Sequence, residues 1–269
     1  MNKIDGANKI AILSANKYSA YTASVLQLSL TNNIHVDCIV VKSNQGLSHL
    51  FKELKKNKFD LISKIFKKVV LQKLISYGYR SRYADGFSDY FAENFNSESE
   101  LLQLAKKSNI PIIETDDFHN GTILDMLNSR NLDLIVFTGG GLIRKSLISI
   151  PRLGVINCHM GILPNYRGMD CTYWAMLEGN YDKIGFTTHL MDIGVDTGAI
   201  IKKYPIDNTM SKSPKQIIKL IEFRMAPAIV ESMLLLFSNT LELQSQNISD
   251  GKQYYTICNE LKKNKYYGI

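Results

Sequence analysis

Short apolar runs at regular intervals constrain this chain most, because such runs form the buried strands of a parallel sheet. Leu132–Thr138 (LDLIVFT) is the clearest of them, a nearly continuous apolar segment followed at once by three glycines. Lys9–Ser14, His35–Val41 and Gly154–His159 have the same character. We therefore predict that these segments are strands of a mostly parallel sheet.

Helical patterns and further strands fill the intervals between these runs. Helices are predicted at Tyr21–Leu30, Ser97–Ser108, Asn120–Arg130 and Lys212–Phe237, the last bent near Pro227. Strands are also predicted at Ile110–Glu114, Lys183–Met191 and Gly198–Ile206. This alternation favours an α/β fold, a Rossmann-like open, mostly parallel twisted sheet with helices on both faces. Ligands bind such sheets beyond the carboxyl ends of the strands.

The segment from about 47 to 96 breaks the alternation and is predicted to be an insertion. Leu47–Lys58 has a helical pattern, and Asp60–Tyr77 has an apolar stripe flanked by lysines, as in an amphipathic helix. We expect that helix to pack on the protein's own core, with a membrane surface as the alternative. Gly78–Asn96 is aromatic and irregular, which predicts a long ordered loop or a broken helix. Residues 1–242 are expected to form one domain, followed by a short tail at 243–269.

The composition is that of a globular protein with excess positive charge. The chain has 269 residues, with 32 lysines and arginines against 25 aspartates and glutamates, and a formal charge of +7. Much of the excess lies between Lys52 and Lys73 and around Lys262 and Lys265. Such a surface attracts phosphates, polyglutamates or nucleic acid, or is only a solvated face. Because the lysines do not interleave with stacking aromatics, we expect no nucleic-acid partner.

The cellular context is predicted from what the sequence lacks. It has no run of eighteen apolar residues and no apolar stretch within Met1–Asn8, so we expect neither a membrane span nor a secretory signal. Cys38, Cys158, Cys171 and Cys258 form no Cys-x-x-Cys pair, which argues against a metal or redox site. We expect buried free thiols in a reducing cytoplasm.

Two polar residues near the end of one predicted strand are the first candidates for chemistry. Asn157 and His159 are two positions apart, so their side chains point to the same face. Gly161 and Pro164 end that strand, which places the amide and the imidazole at the carboxyl edge of the sheet. A third candidate, Asp196, lies in a glycine-flanked turn between two predicted strands, from which a carboxylate can reach the histidine.

Each of these residues also has an ordinary structural explanation. A histidine at a strand end is more often structural than catalytic, and an asparagine before a turn usually caps backbone groups. An aspartate before Thr-Gly usually makes an Asx-type turn. Only the combination of the three with the surrounding pattern favours a catalytic site.

That surrounding pattern resembles the folate-dependent formyltransferase family, which includes glycinamide ribonucleotide, methionyl-tRNA and sugar N-formyltransferases. The resemblance is close over Asp133–Pro205 and extends in element order to Lys9–Val41 and Ser97–Phe237. Many fixed residue types at fixed spacing make it a specific signal. The residues that carry it are Asn157, His159, Leu163-Pro164-x-Tyr166-Arg167-Gly168, Trp174, Gly185 and Asp192-x-Gly194-x-Asp196-Thr197-Gly198.

The resemblance implies transfer of a formyl group from N10-formyltetrahydrofolate to an amine, without a metal. Asn157, His159 and Asp196 fall on the family's catalytic positions. Asn157 and a protonated His159 are expected to donate to the oxyanion that develops on the formyl oxygen, each donor being worth on the order of 3 kcal/mol. Asp196 is expected to raise the histidine pKa, to orient the ring, and to accept the amine proton directly or through water.

The resemblance also implies where the two ligands bind. The pterin ring is expected between two loops whose backbone groups contact it, formed by Gly141, Leu142, Ile143 and Arg144 and by Asp192, Gly194 and Val195. The acceptor site is expected to be bordered by Met160, Gly161, Tyr166 and Arg167.

Several of these residues have structural alternatives. For Tyr166 and Arg167 the alternative is loop packing and a surface salt bridge, and Trp174 is expected in the core rather than as a stacking platform. Gly139–Gly141 provides a tight strand-to-helix turn. It is not a nucleotide phosphate loop, because the Gly-x-Gly-x-x-Gly spacing is absent.

The acceptor is predicted from differences between this chain and the named enzymes. Ser14–Ser19 contains no glycine, whereas glycinamide ribonucleotide enzymes have a glycine- and serine-rich phosphate loop there. Few residues follow Phe237, where methionyl-tRNA enzymes add a C-terminal domain, and the first strand begins at Lys9, where formyltetrahydrofolate hydrolases carry an extra domain. We expect a small amine, an amino sugar carried on a nucleotide, with glycinamide ribonucleotide as the alternative. A folate-binding relative without activity is the alternative of another class.

The aromatic part of the insertion, Tyr77–Phe95, is expected either to cover the acceptor pocket or to contribute to a homodimer contact. Long loops in compact domains often serve as lids or interfaces. The insertion is therefore the segment expected to decide which amine accepts the formyl group.

Overall fold

A twisted sheet is the frame of the molecule, as seen in a computed structural model that describes residues 8–43, 86–95, 101–207, 209–258 and 261. Its strands are β1 (Lys9–Ser14), β2 (His35–Lys42), β3 (Ile112–Thr115), β4 (Leu134–Phe137), β5 (Val155–His159), β7 (Gly185–Leu190) and β8 (Ile200–Pro205). They lie in the order β3-β2-β1-β4-β5-β7-β8. The first five are parallel, while β7 and β8 are antiparallel to their neighbours.

A small second sheet lies beside the first. It pairs β6 (Tyr166–Gly168) with β9 (Lys252–Tyr254) in parallel. The two strands are more than eighty residues apart in the chain, so this pairing ties the C-terminal segment to the motif that follows β5.

Helices lie on both faces of the main sheet. They are α1 (Ala20–Thr31), α2 (86–95), α3 (Leu101–Lys107), α4 (Gly121–Asn128), α5 (Lys145–Ile148), α6 (Cys171–Leu177) and α7 (Pro214–Phe237). α7 begins with a capping box between Ser213 and Gln216 and continues through Pro227. This architecture confirms the predicted Rossmann-like α/β fold.

Strands β1 and β4 are apolar on both faces because helices cover both sides of the sheet there. In β1, Ile10 and Ile12 belong to the cluster packed under α1, α3 and α7, whereas Ala11 and Leu13 belong to the cluster under α4 and α5. The four residues of β4 divide between the two clusters in the same way. A strand buried on both faces shows no alternation of apolar and polar residues.

Of the insertion at 47–96, the structure describes residues 86–95. The predicted helices at Leu47–Lys58 and Asp60–Tyr77 lie outside the described residues, as do the basic residues from Lys52 to Lys73 and those around Lys262 and Lys265. Their packing and their partners stay predictions.

Residues 86–95 of the insertion form helix α2. The sequence predicted a long loop or a broken helix for the segment Gly78–Asn96 that contains them. Its rings face the core: Phe87 stacks on Tyr21 of α1 with centroids 4.6 Å apart, and Tyr90 meets Phe223 of α7 edge-on at 5.2 Å. Phe87 and Tyr90 are buried. The spacing of these aromatics therefore reflects packing of a helix on the α1–α7 face.

The cysteines are free thiols, as expected, and three of the four are buried. Cys258 is exposed, so the expectation of burial is wrong for that residue. Within the described parts of the chain, no helix has the length and apolar character needed to cross a membrane.

Candidate active site

The pairing of β5 with β7 assembles the first part of the site. The antiparallel register sets Asn157 opposite His189 and His159 opposite Thr187. Residues two apart on a strand share a face, and residues paired in register share it too. Two histidines and the Asn157 amide therefore lie on the same side of the sheet.

The His159 ring lies between two acceptor oxygens. Its Nδ1 is 3.3 Å from Asp196 Oδ2, and its Nε2 is 2.8 Å from the backbone carbonyl of Tyr166. The side chain is only 7% exposed. Since a carbonyl and a carboxylate only accept hydrogen bonds, a ring that carries a proton on both nitrogens satisfies both contacts.

Burial nevertheless lowers the pKa of His159 below its ordinary value. The Asp196 carboxylate and the Tyr166 carbonyl act to raise it, while His189 lowers it further. Asp196 thus raises the pKa of this histidine, as expected, but the net pKa is still lowered. Loss of hydration around the charged ring outweighs the favourable carboxylate. A protonated His159 is consequently a stronger acid than an exposed imidazolium.

Asp196 is the carboxylate around which the site is organised. Its backbone has a left-handed φ of 54°. Oδ2 accepts a hydrogen bond from the Gly168 amide at 2.9 Å, and Oδ1 lies 3.6 Å from His189 Nε2. Burial acts to raise its pKa, but the two histidines and the Gly168 amide together lower it to about 2. Asp196 is therefore ionised at neutral pH.

His189 was missed by reasoning from the sequence. It is 1% exposed, and its Nδ1 lies 2.9 Å from the carbonyl of Leu190. Its Nε2 is 3.3 Å from the Asn157 amide nitrogen. The signal in the sequence was a histidine within a predicted strand, but its proximity to Asn157 depends on the β5–β7 register, which no local pattern reveals.

The glycine-rich loop after β4 has the geometry of a tight turn. Gly139, Gly140 and Gly141 all have positive φ, between 115° and 122°. Such backbone favours glycine because it has no Cβ. Ile143 is buried, and Arg144 is exposed just before α5.

The two loops predicted to hold the pterin expose apolar side chains. Leu142 is 82% exposed in the first loop, and Ile193 and Val195 are 79% and 37% exposed in the second. Asp192 holds the second loop, because its Oδ1 accepts hydrogen bonds from the Gly194 amide and the Thr197 hydroxyl. Large exposed apolar side chains beside a polar site are typical of a surface that a ligand covers.

The residues predicted to border the acceptor differ in their surroundings. Met160 is partly buried against the core. Gly161 is buried, and a Cβ there would lie 2.6 Å from His159 Nε2, so the close approach of the loop to the histidine requires glycine. Tyr166 is 2% exposed, and its hydroxyl donates to Glu178 at 2.6 Å.

Arg167 is buried, not at the surface. Its Nη2 donates to the carbonyl of Gly251 at 3.2 Å, while Nη1 makes no hydrogen bond with any residue that the structure describes. It forms no ion pair within the described ranges, and its burial argues against the surface position that the salt-bridge alternative assumed. The predicted role in acceptor binding stays a prediction.

Sequence comparison places these features in a family. The family model described as "Formyl transferase" matches residues 8–231, which include every element of the site described so far except the partners in the C-terminal segment. The chain belongs to the formyl transferase family.

The curated relatives of this formyl transferase family member match it over part of their length. A methionyl-tRNA formyltransferase of Clostridioides difficile (strain 630) is 32% identical over 150 residues, covering 50% of this chain and 48% of that protein. A second, from Legionella pneumophila (strain Corby), is 32% identical over 152 residues, again covering 48% of the relative. The chain thus spans about half the length of the curated relatives it matches.

Solved structures of the family share the fold. The N-formyltransferase from Helicobacter canadensis, described in complex with folinic acid and dTDP-3-aminofucose, has a TM-score of 0.55 and 16% identity, covering 92% of this chain and 71% of that one. The phosphoribosylglycinamide formyltransferase from Anaplasma phagocytophilum has a TM-score of 0.58 and 12% identity, covering 94% and 100%. At these identities the likeness shows the fold alone.

The C-terminal segment of this family member, residues 244–257, contacts two parts of the site, the β6 motif that ends in Gly168 and the loop that contains Asp196. Through the β6–β9 pairing it contacts the motif that ends in Gly168. The Gln246 amide donates to the carbonyls of Asp196 and Gly198, at 3.0 and 2.5 Å. The segment predicted from the sequence as a short tail therefore helps to hold the loop in which Asp196 has its positive φ.

Trp174 contacts the same segment. Its Nε1 donates to the carbonyl of Tyr255 at 2.8 Å, and its ring lies 5.5 Å from that of Tyr254. The residue is partly buried, and it fixes the segment to α6. This agrees with a packing role for the tryptophan.

The polar side-chain groups of the site are one amide, two imidazoles and one carboxylate. Among the residues that the structure describes, no group of three or more His, Cys, Asp or Glu side chains is arranged to hold a metal ion. The arrangement suits the stabilisation of negative charge by N–H donors beside a fixed carboxylate.

Proposed function

We propose that this protein transfers the formyl group of N10-formyltetrahydrofolate to a primary amine of a small molecule, an amino sugar carried on a nucleotide. One observation carries the proposal. The His159 side chain lies on the same face of β5 as the Asn157 amide, and its Nδ1 is 3.3 Å from the Asp196 carboxylate. The three residues that the family resemblance implies as catalytic therefore lie close together, which supports the proposal.

The two loops fit the donor. The exposed side chains of Leu142, Ile193 and Val195 offer apolar surface to a flat ring, and the glycine backbone of the first loop permits close approach. N10-formyltetrahydrofolate, when bound, supplies the formyl carbonyl that the amine attacks.

The residues of the chain then act on the charges that develop. Asn157 offers an amide N–H to the developing oxyanion. The protonated His159 offers a second donor when its Nε2–H exchanges the Tyr166 carbonyl, 2.8 Å away, for that oxygen, while Nδ1 keeps its contact with Asp196. The lowered pKa of His159 makes the charged ring a stronger donor and favours release of its proton to the departing nitrogen, while it also reduces the fraction of the ring that is charged at neutral pH.

Asp196 acts mainly by its charge. A carboxylate with a pKa of about 2 is a weak base at neutral pH. It therefore stabilises positive charge on His159 and on the attacking amine rather than keeping a proton itself. The proton that the amine must lose passes through water to His159, and it replaces the one that His159 gives to the departing nitrogen. This narrows the role implied by the family resemblance, in which the carboxylate also accepts the amine proton.

The choice of acceptor rests on the composition of the chain and on one solved structure of similar fold. The net charge of +7 suits a diphosphate, and the first loop, Ser14–Ser19, lacks glycine. The Helicobacter relative is described with a nucleotide-linked amino sugar. Location in the cytoplasm, assembly into a homodimer and a role of the insertion in acceptor choice stay predictions.

The experiment is a panel of acceptors with N10-formyltetrahydrofolate. Nucleotide-linked 3-amino and 4-amino sugars, glycinamide ribonucleotide and methionyl-tRNA are each incubated with the protein, and tetrahydrofolate release and formylated product are both measured. We expect product with an amino sugar and none with the His159→Ala variant. Product from glycinamide ribonucleotide or methionyl-tRNA alone would reassign the acceptor, and folate binding without any product would favour a non-catalytic relative.

A further inference from the structure

His189 is a buried polar residue of the site to which the proposed reaction gives no role. It lies on β7, is 1% exposed, and pairs in register with Asn157 on β5. Its ring is edge-on to that of His159, with centroids 6.4 Å apart. The Asp196 carboxylate lies between the two rings.

The contacts of the ring determine which nitrogen carries the proton. Nδ1 is 2.9 Å from the carbonyl of Leu190, which only accepts hydrogen bonds, so Nδ1 is the donor. In the neutral ring Nε2 is then an acceptor. The atom that it faces, 3.3 Å away, is the amide nitrogen of Asn157.

This tautomer fixes the orientation of the Asn157 amide. One N–H of the amide donates to His189 Nε2, so the nitrogen end of the amide cannot exchange places with the oxygen end without setting two acceptors against each other. The second N–H of the same nitrogen is then directed away from His189. An amide without this partner can also place its oxygen toward the oxyanion, which repels it, so holding the nitrogen end in place removes an unproductive orientation.

We propose that His189 is the positioning residue of Asn157, which holds the amide with its nitrogen toward the reacting oxygen. The inference rests on the proposed formyl transfer. In this account the tautomer of His189 determines the orientation of the Asn157 amide, and His189 acts through Asn157 rather than on the substrate. Asp196 Oδ1 also faces this Nε2 but lies farther from it, at 3.6 Å against 3.3 Å for the Asn157 nitrogen.

Two matched amide variants separate positioning from packing. In His189→Gln the side-chain oxygen reaches the position of Nε2, whereas in His189→Asn the side chain reaches only as far as Nδ1. Both bury an amide of similar polarity. We expect the Gln variant to keep most of kcat and the Asn variant to lose about 10- to 100-fold, with KM for N10-formyltetrahydrofolate little changed in both.

Nitrogen NMR of the wild-type protein gives a second readout that needs neither turnover nor a variant. We expect the Nδ1-protonated tautomer of His189 and a slowly exchanging side-chain amide proton of Asn157, assigned from its loss in Asn157→Asp. Equal kcat in the two His189 variants, or an Nε2-protonated His189, would overturn the inference. If wild-type protein forms no product with any acceptor, the proposed function fails, and the NMR result still decides whether His189 orients Asn157.

Discussion

Replacing Gly168 with alanine should destabilise the protein by about 2–4 kcal/mol and slow formyl transfer. Gly168 has a φ of +94°, and an added Cβ would lie 2.2 Å from the carbonyl oxygen of Tyr254 on the neighbouring strand β9. The backbone strain alone costs about 1–3 kcal/mol. Because the clashing atom is backbone, β9 must also move, which weakens the hydrogen bond from the Met169 amide to the same carbonyl, worth about 1 kcal/mol.

Gly179 provides a matched control within the same chain. Its φ is +77°, but a Cβ there would meet no described atom within 4 Å, so Gly179→Ala should show the strain without the clash, about 1 kcal/mol. Urea unfolding of both variants measures the difference. The Gly168 amide also donates to Asp196, so only the Gly168 variant should lose amine-dependent formyl transfer. Equal destabilisation in the two variants would refute the close packing of β6 on β9.

Two further substitutions test the support of the site and of the sheet. Gln246→Ala removes the amide that holds the Asp196 and Gly198 carbonyls, and kcat should fall about tenfold in a protein that is still folded but about 1–2 kcal/mol less stable; a wild-type kcat would contradict this. Asp37→Asn should lower the free energy of unfolding at pH 7 by about 1–3 kcal/mol in urea titrations. Although burial acts to raise it, the pKa of Asp37 is lowered by its contacts with Lys9 and Arg130. The contribution of the Asp37 carboxylate to stability is thus complete above its ordinary pKa of 3.8 and is lost as the pH falls through the lowered pKa of the folded state. If the difference in free energy of unfolding between wild type and variant stayed constant down to about pH 3, the ion pairs of Asp37 would not be its cause.

Local periodicity was sufficient to predict most of the frame. The runs that became β1 and β4 are apolar on both faces because helices cover both, and this signal is contained within a few residues. The pair Asn157 and His159 was predictable for the same reason, since a spacing of two on a strand places both on one face. Asp196 was predictable only with the family pattern, since its left-handed φ is fixed by distant contacts.

The features that reasoning from the sequence missed depend on contacts between distant residues. His189 joins the site through the register of two antiparallel strands 32 residues apart at Asn157. The β6–β9 pairing joins the motif to a segment that has no strong strand pattern of its own. The net pKa of His159 depends on how completely its neighbours exclude water, which is a property of the packed site rather than of any motif.

The central claim is that Asn157 and His159 stabilise the transition state of formyl transfer. Single-turnover formyl transfer from N10-formyltetrahydrofolate tests it, with wild-type protein and the Asn157→Ala and His159→Ala variants compared at saturating folate and amine. Each variant should be slower by about 100- to 1000-fold while keeping the wild-type unfolding midpoint. A near-normal single-turnover rate in either folded variant would contradict the account.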